Sequence, residues 1–212
     1  MRSQSDSQRK QCVPCETLPF HRFPVNPKWH IPTRAECTAL WNKYRMPEHI
    51  RAHSEQVANV AIALAELGVR RGLDVSIESI ASSALLHDIA KAYTIEFGGD
   101  HAWIGGSIVL SETGNPYVAQ GVVHHVHWDW PVDSELCFLP LAIIYADKRV
   151  MHDSVVSLNE RFEDLVVRYG RNDRIIANIM KAKVLAEQIE RAFSEQLGIS
   201  LHEYSFNSRR MV

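Results

Sequence analysis

The sequence predicts an all-α protein, a helical bundle preceded by an irregular extension. Two observations carry that expectation. Apolar residues recur at spacings of three and four in one segment after another, and no segment alternates convincingly with period two. The punctuation agrees, because residues that cap helices stand ahead of these periodic runs. Thr33-Arg34-Ala35-Glu36 and Ser157-Leu158-Asn159-Glu160 fit capping boxes, and Asn115-Pro116 reads as an N-cap followed by a first-turn proline.

Residues 1–32 form the extension. Pro14, Pro19, Pro24, Pro27 and Pro32 punctuate it too densely for helix interior or central strand. It either drapes over the domain through Phe20, Phe23 and Trp29 or is partly disordered. Residues 33–212 are expected to form one domain. Thr33 starts a helix carrying Leu40 and Trp41. Pro47 suits the first position of the next, whose inward face holds Ile50, His53, Val57, Val60 and Leu64, and Gly68 and Gly72 end it. Ser76 caps a helix expected to run through Ile80, Ala84, His87 and Asp88 to Lys91. Gly98-Gly99-Asp100 is a loop, with Asp100 capping a short helix from His101. Asn115-Pro116 opens a helix with Val118, Val122 and His125, and Trp128-Asp129-Trp130-Pro131 breaks the pattern. Asp133 or Ser134 starts a helix reaching Asp147 and Val150. A helix follows Ser157, and Asp173 opens a last long one ending near Gly198. That last helix closes the bundle, and part of its Ile176, Ile179, Val184, Leu185 and Ile189 stripe can serve a homodimer.

Composition excludes several function classes. A chain of 212 residues can bury a sizeable core. A net charge of −2 gives no electrostatic case for nucleic acid or acidic membranes as partners. No apolar run approaches the roughly 20 residues needed to span a bilayer. Met1 to Gln11 is polar and does not read as a secretory signal. Four cysteines make no disulfide framework at this size, so a reduced, cytoplasmic protein is expected. Cys12-Val13-Pro14-Cys15 has zinc-ligand spacing, but His21, His30 and Cys37 complete no common arrangement, and an incidental pair is expected.

The chemistry centres on Leu85-Leu86-His87-Asp88-Ile89-Ala90-Lys91, a His-Asp pair in an apolar run. Burying both groups costs several kcal/mol, on the scale of roughly 2–7 per unsatisfied polar group, unless something compensates. A bound metal is the simplest compensation; a buried His–Asp hydrogen bond is the alternative. His53 lies in register with Val57, Val60 and Leu64, as a ligand or as a satisfied core histidine. Asp147 ends the apolar run Leu141-Ala142-Ile143-Ile144-Tyr145-Ala146 and should be paired or ligated. A salt bridge to Lys148 or Arg149 is disfavoured, because sequence neighbours do not face each other on a helix.

The order His53, His87-Asp88, Asp147 resembles the HD superfamily of metal-dependent phosphohydrolases. Leu86-His87-Asp88-Ile89-Ala90-Lys91 is close to that family's HDIGK form, and Tyr145-Ala146-Asp147-Lys148 to its final acidic motif. The resemblance covers roughly Thr33 to Tyr169 and implies an HD-domain helical bundle. Its two-metal members place further histidines between the HD pair and the last acid, and here His101, His124 and His125 stand there. A paired histidine is similar to HD-GYP phosphodiesterases, but His127-Trp128-Asp129-Trp130-Pro131 replaces the Gly-Tyr-Pro signature. The chain also resembles compact bacterial HDIG proteins, including dinucleoside-tetraphosphate hydrolases. Residues 146–149 and 156–162 resemble HD domains fused to molybdenum-cofactor nucleotidyltransferases.

The resemblance implies two divalent transition metals held by His53, His87, Asp88, His101, His124, His125 and Asp147, with Asp88 as the bridge. So histidine-rich a set favours iron, manganese, nickel or zinc over magnesium, which prefers oxygen and water; iron or manganese is expected first, with nickel, zinc or magnesium as alternatives. Asp88 and Lys91 are the expected catalytic residues, Lys91 either pointing at the phosphate or lying on the helix surface. Arg149 is a weaker phosphate-binding candidate, more readily a surface residue. Trp103, Trp128 and Trp130 either stack a nucleobase or anchor loops in the core. The expected activity is cleavage of a phosphomonoester or phosphodiester in a small, nucleotide-type substrate. A di-iron oxygenase and a non-catalytic nucleotide sensor are the rival readings.

Overall fold

The computed structural model describes residues 20, 21, 23 and 25–206. The Cys12–Cys15 pair and most of the extension lie outside the described residues. The fold is all-α. Among the described residues nine helices and one two-stranded hairpin follow one another in the chain.

Helix α1 (Arg34–Lys43) opens on the expected capping box: Thr33 Oγ1 accepts from the Glu36 amide, and the Glu36 carboxylate accepts from the Thr33 amide. Helix α2 (Glu48–Arg70) starts one residue after Pro47, which sits at the cap. It buries Ile50, His53, Val57, Val60, Ala61 and Leu64 along one stripe. Ser76 caps α3 (Ile77–Leu86). Here the expectation of one helix to Lys91 fails. The α-helical hydrogen bonding is interrupted at His87–Ala90, where the Ile89 amide bonds Leu86 O at 3.1 Å and the Lys91 amide bonds Asp88 O at 2.9 Å. These tighter bonds make a turn, and a separate helix α4 (Lys91–Phe97) begins at the lysine. No Gly or Pro marks the break.

Asp100 caps α5 (His101–Thr113) by accepting from the Ala102 and Trp103 amides. Asn115 does the same for α6 (Pro116–His124), with Pro116 in its first turn. The next helix begins later than expected. Asp133 accepts from the Glu135 and Leu136 amides, but that turn does not become α-helix until Phe138. Helix α7 (Phe138–Lys148) is buried from Phe138 to Asp147 and is the axis of the molecule. Leu139, Leu141 and Ile143 in it are wholly enclosed, each worth about 1.5–3 kcal/mol of burial.

The hairpin after it was not expected. Strands β1 (Val150–Met151) and β2 (Ser154–Val155) pair antiparallel, Val150 opposite Val155. Its tip includes His152, at φ +57°. Helix α8 (Leu158–Tyr169) carries the second capping box, and α9 (Asp173–Leu197) ends at Gly198 in the left-handed region.

Helix α2 packs on α3 and α7, α6 lies against α3, α5 and α7, and α8 and α9 cover the far side of α7. The described part of the extension is irregular. It is fastened to the bundle by Ser82 Oγ donating to Pro32 O, Asn115 Nδ2 to His30 O and Gln120 Nε2 to His21 O. Arg149 is not a surface residue. It is buried, donating to Val156 O, the Tyr145 hydroxyl and Leu201 O.

Candidate metal centre

Five elements deliver polar side chains to one buried place. Helix α2 brings His53, the turn after α3 brings His87 and Asp88, α5 brings His101, the end of α6 brings His125 and α7 brings Asp147. Three of these imidazoles are oriented alike. His53 Nδ1 lies 2.9 Å from His152 O, His87 Nδ1 2.7 Å from Ala84 O and His125 Nδ1 2.6 Å from Val122 O. A carbonyl only accepts, so each Nδ1 carries its proton and Nε2 is the nitrogen turned inward, a lone pair for a cation when the ring is neutral and a donor when it is protonated. All three Nε2 atoms converge on the two carboxylates.

His53 Nε2 is 3.0 Å from Asp147 Oδ1, and His87 Nε2 is 3.8 Å from the same oxygen. Asp88 stands between two sets of neighbours. Its Oδ2 faces His87 Nε2 at 3.4 Å and Lys91 Nζ at 2.7 Å, while its Oδ1 faces His101 Nε2 at 3.3 Å and His125 Nε2 at 3.6 Å. His101 and His125 lie Nε2 to Nε2 at 3.1 Å.

The electrostatics are those of a packed ionic nest. Burial alone would raise the Asp88 carboxyl, but His87 and Lys91 hold it well below the usual carboxylate range. Burial acts likewise on Asp147, and Lys148 and His53 overcome it. Burial pushes His125 down to about 4, keeping it a neutral donor. Burial also opposes the charged form of Lys91, yet Asp88 and Asp147 raise it, so it stays a cation.

The donor set fits a metal. His87 Nε2 and Asp88 Oδ1 are buried and make no hydrogen bond, although each sits within 4 Å of complementary groups. Orphaned buried atoms are costly, and a cation among them would satisfy both. Two groups, His53–His87–Asp147 and His87–Asp88–His125, each place ligand atoms within 4.8 Å of one another.

Of the residues singled out in the sequence, the structure gathers His53, His87, Asp88, Lys91, His101, His125 and Asp147. It does not bring His124 to them. The His124 ring packs against Phe20, Trp128 and Trp130 at centroid distances of 5.5, 5.9 and 5.1 Å, on the face of α6 that meets the extension. Trp128 and Trp130 belong to that cluster, whereas Trp103 is exposed and anchors no core. Lys148 does reach Asp147 Oδ2, against the argument from helix geometry, because its long side chain folds back at the helix end.

The cluster opens into a cavity of about 350 Å³, whose lining includes His53, Asp88 and Lys91 with His49, His152, Arg161, Arg168 and Tyr169. The latter five went unmarked in the sequence. The one signal was the seven-residue spacing of Arg161 and Arg168 on an amphipathic helix. No helix among the described residues is long and apolar enough to cross a membrane.

Known proteins similar to this chain are ribonucleases by name. Ribonuclease Y of Protochlamydia amoebophila is 27% identical over 160 residues, which cover 71% of this chain and 30% of that protein. Ribonuclease Y of Campylobacter concisus is 28% identical over 166 residues, 66% of this chain and 31% of its own length. That of Wolinella succinogenes is 38% identical over a shorter stretch of 89 residues, 40% of this chain and 16% of the relative. The chain therefore spans less than a third of these relatives. No family model and no solved structure matches it.

Proposed function

We propose that the chain is a metal-dependent phosphohydrolase of the HD superfamily and that its bond is a phosphodiester in a nucleotide-type substrate. The observation that carries this is the convergence of unpartnered His87 Nε2 and Asp88 Oδ1 with His53, His101, His125 and Asp147 at the foot of a cavity edged by cations. Phosphodiester rather than phosphomonoester is favoured by the relatives, which are ribonucleases by name. A short RNA thereby joins small nucleotides as a candidate substrate, although the net charge of −2 provides no general attraction for long nucleic acid.

His53, His87 and Asp147 would hold one divalent transition ion, and His101 and His125 a second, with Asp88 between them. Such ions supply a Lewis acid for the phosphoryl oxygen and an acidified water as nucleophile. The chain's own residues do the positioning. The carbonyls of Ala84, Val122 and His152 fix the imidazoles so that Nε2 faces inward, a device that sharpens ligand orientation. Lys91 is held by Asp88 at 2.7 Å with its side chain partly exposed in the cavity, where its positive charge meets an arriving phosphate. Ile50 and Ala52 of α2 and Ile95 of α4 are the apolar part of the cavity's lining, and apolar surface beside a reacting group strengthens such electrostatic contacts.

The test is hydrolysis by protein loaded separately with iron(II), manganese, zinc or magnesium. The panel is bis-p-nitrophenyl phosphate, a linear dinucleotide, a cyclic dinucleotide and a short RNA. Cleavage of at least one diester, abolished in Asp88→Asn, is expected. Metal uptake with no phosphodiester cleavage would overturn the proposal, and substrate-dependent oxygen consumption by the iron-loaded protein would replace it with the oxygenase reading.

A further inference from the structure

Two arginines on α8 line the same cavity as the cluster and have no part in it. Arg161 and Arg168 are seven residues apart, two helical turns, and so share a face. Neither guanidinium comes within 4 Å of a carboxylate of the cluster; both are paired instead with Asp164. Arg161 Nη1 lies 3.3 Å from Asp164 Oδ2 and Arg168 Nη1 lies 3.4 Å from the same oxygen. One carboxylate thus answers two guanidiniums, and a net positive charge is left at this wall.

Arg161 is the more telling of the two. Its side chain is only 13% exposed, and its Nε is buried without a hydrogen-bond partner. A buried donor left open beside a cavity is suited to an acceptor that arrives with a ligand. Arg168 is braced by Tyr169, whose ring centroid lies 5.2 Å from the guanidinium carbon. Guanidinium groups match phosphate oxygens in planar, paired geometry, which ammonium groups do not. The opposing charge nearby is small: Asp88 is already held by Lys91, and Asp153 is exposed at the hairpin tip.

We infer that Arg161 and Arg168 form an anion subsite for a second phosphate of the substrate, next to the phosphate presented to the His/Asp cluster. The inference rests on the phosphohydrolase reading and narrows it to substrates with at least two phosphates. A phosphodiester that carries no further phosphate would leave the α8 wall unused.

The dinucleotide ApA and its 5′-phosphorylated form pApA differ by that one group. Their binding to the metal-free protein is measured by calorimetry, with Arg168→Gln and Arg161→Gln beside the unaltered chain. Arg161→Gln, being enclosed, can fail to fold. Arg168 is 41% exposed, and its replacement keeps the test decisive. The unaltered chain should bind pApA about tenfold more tightly than ApA, and Arg168→Gln should collapse that ratio towards one. A ratio of one in the unaltered chain overturns the subsite, as do binding of neither ligand and a ratio that survives in Arg168→Gln. Phosphate-dependent binding without any cleavage by the metal-loaded protein overturns the hydrolase reading while supporting the subsite.

Discussion

His124 and His125 are adjacent, follow the same apolar pair Val122-Val123 and are both pushed down to about 4 by burial. Acidity does not separate them; direction does. Successive helical residues point about 100° apart, so His125 turns its Nε2 to Asp88 while His124 turns into the Phe20–Trp128–Trp130 cluster. Loss of even an outer-shell partner costs about 10–100-fold in metal affinity, so His125→Ala, which removes a proposed ligand, should weaken metal binding by at least that much, whereas His124→Phe, which suits an aromatic environment, should retain the full metal complement. Elemental analysis after loading and desalting reads the difference, and equal loss from both variants would return His124 to the ligand set. The sequence could show that polar groups at 53, 87, 88 and 147 stood in apolar surroundings and needed partners. The stripe of Val118, Val122 and His125 already turns His125 inward; His124 entered only through the paired-histidine resemblance, and the aromatic residues that claim it meet it from outside its own helix.

At the scale of elements, the site depends on how closely α5 and α6 approach. A Cβ on Gly106 would lie 2.1 Å from Val123 Cγ2, and one on Gly121 2.6 Å from Leu139 Cδ2. These two positions let α6 nestle between α5 and α7, and that seating puts His101 and His125 3.1 Å apart. Gly106→Ala should force the pair of helices apart, costing about 1–3 kcal/mol as overpacked positions do. Urea denaturation measures the stability, and metal titration should show the site served by His101 and His125 weakened more than that of His53, His87 and Asp147. A stability change below 0.5 kcal/mol (roughly the limit for uncoupled surface changes) would show that the helices adjust without strain. The helix periods, caps and C-terminal glycines were legible in the sequence because each is a local signal. The turn at His87–Ala90 was not, since it carries no Gly or Pro. His87 and Asp88 meet their buried neighbours there from α2, α5, α6 and α7, contacts that no local pattern announces.

For the whole molecule, the cluster ties together α2, the turn after α3, α5, α6 and α7, segments that span residues 53 to 147. In the absence of an ion, the fold holds orphaned polar atoms at the point where its central helices meet. Ion binding should therefore act on global stability rather than on one loop. A ligand that binds only the folded state at 100 times its dissociation constant adds about 2.7 kcal/mol. For a chain of this size each kcal/mol is worth about 2–4 °C in midpoint temperature, so loading should raise the melting temperature by about 5–10 °C, and a chelator should reverse it. Asp88→Asn must be melted in parallel, because it removes the group that both sets of histidines face. It should show little or no metal-induced rise. A rise of the same size in Asp88→Asn would place the stabilising ion elsewhere and overturn the cluster as the candidate metal centre.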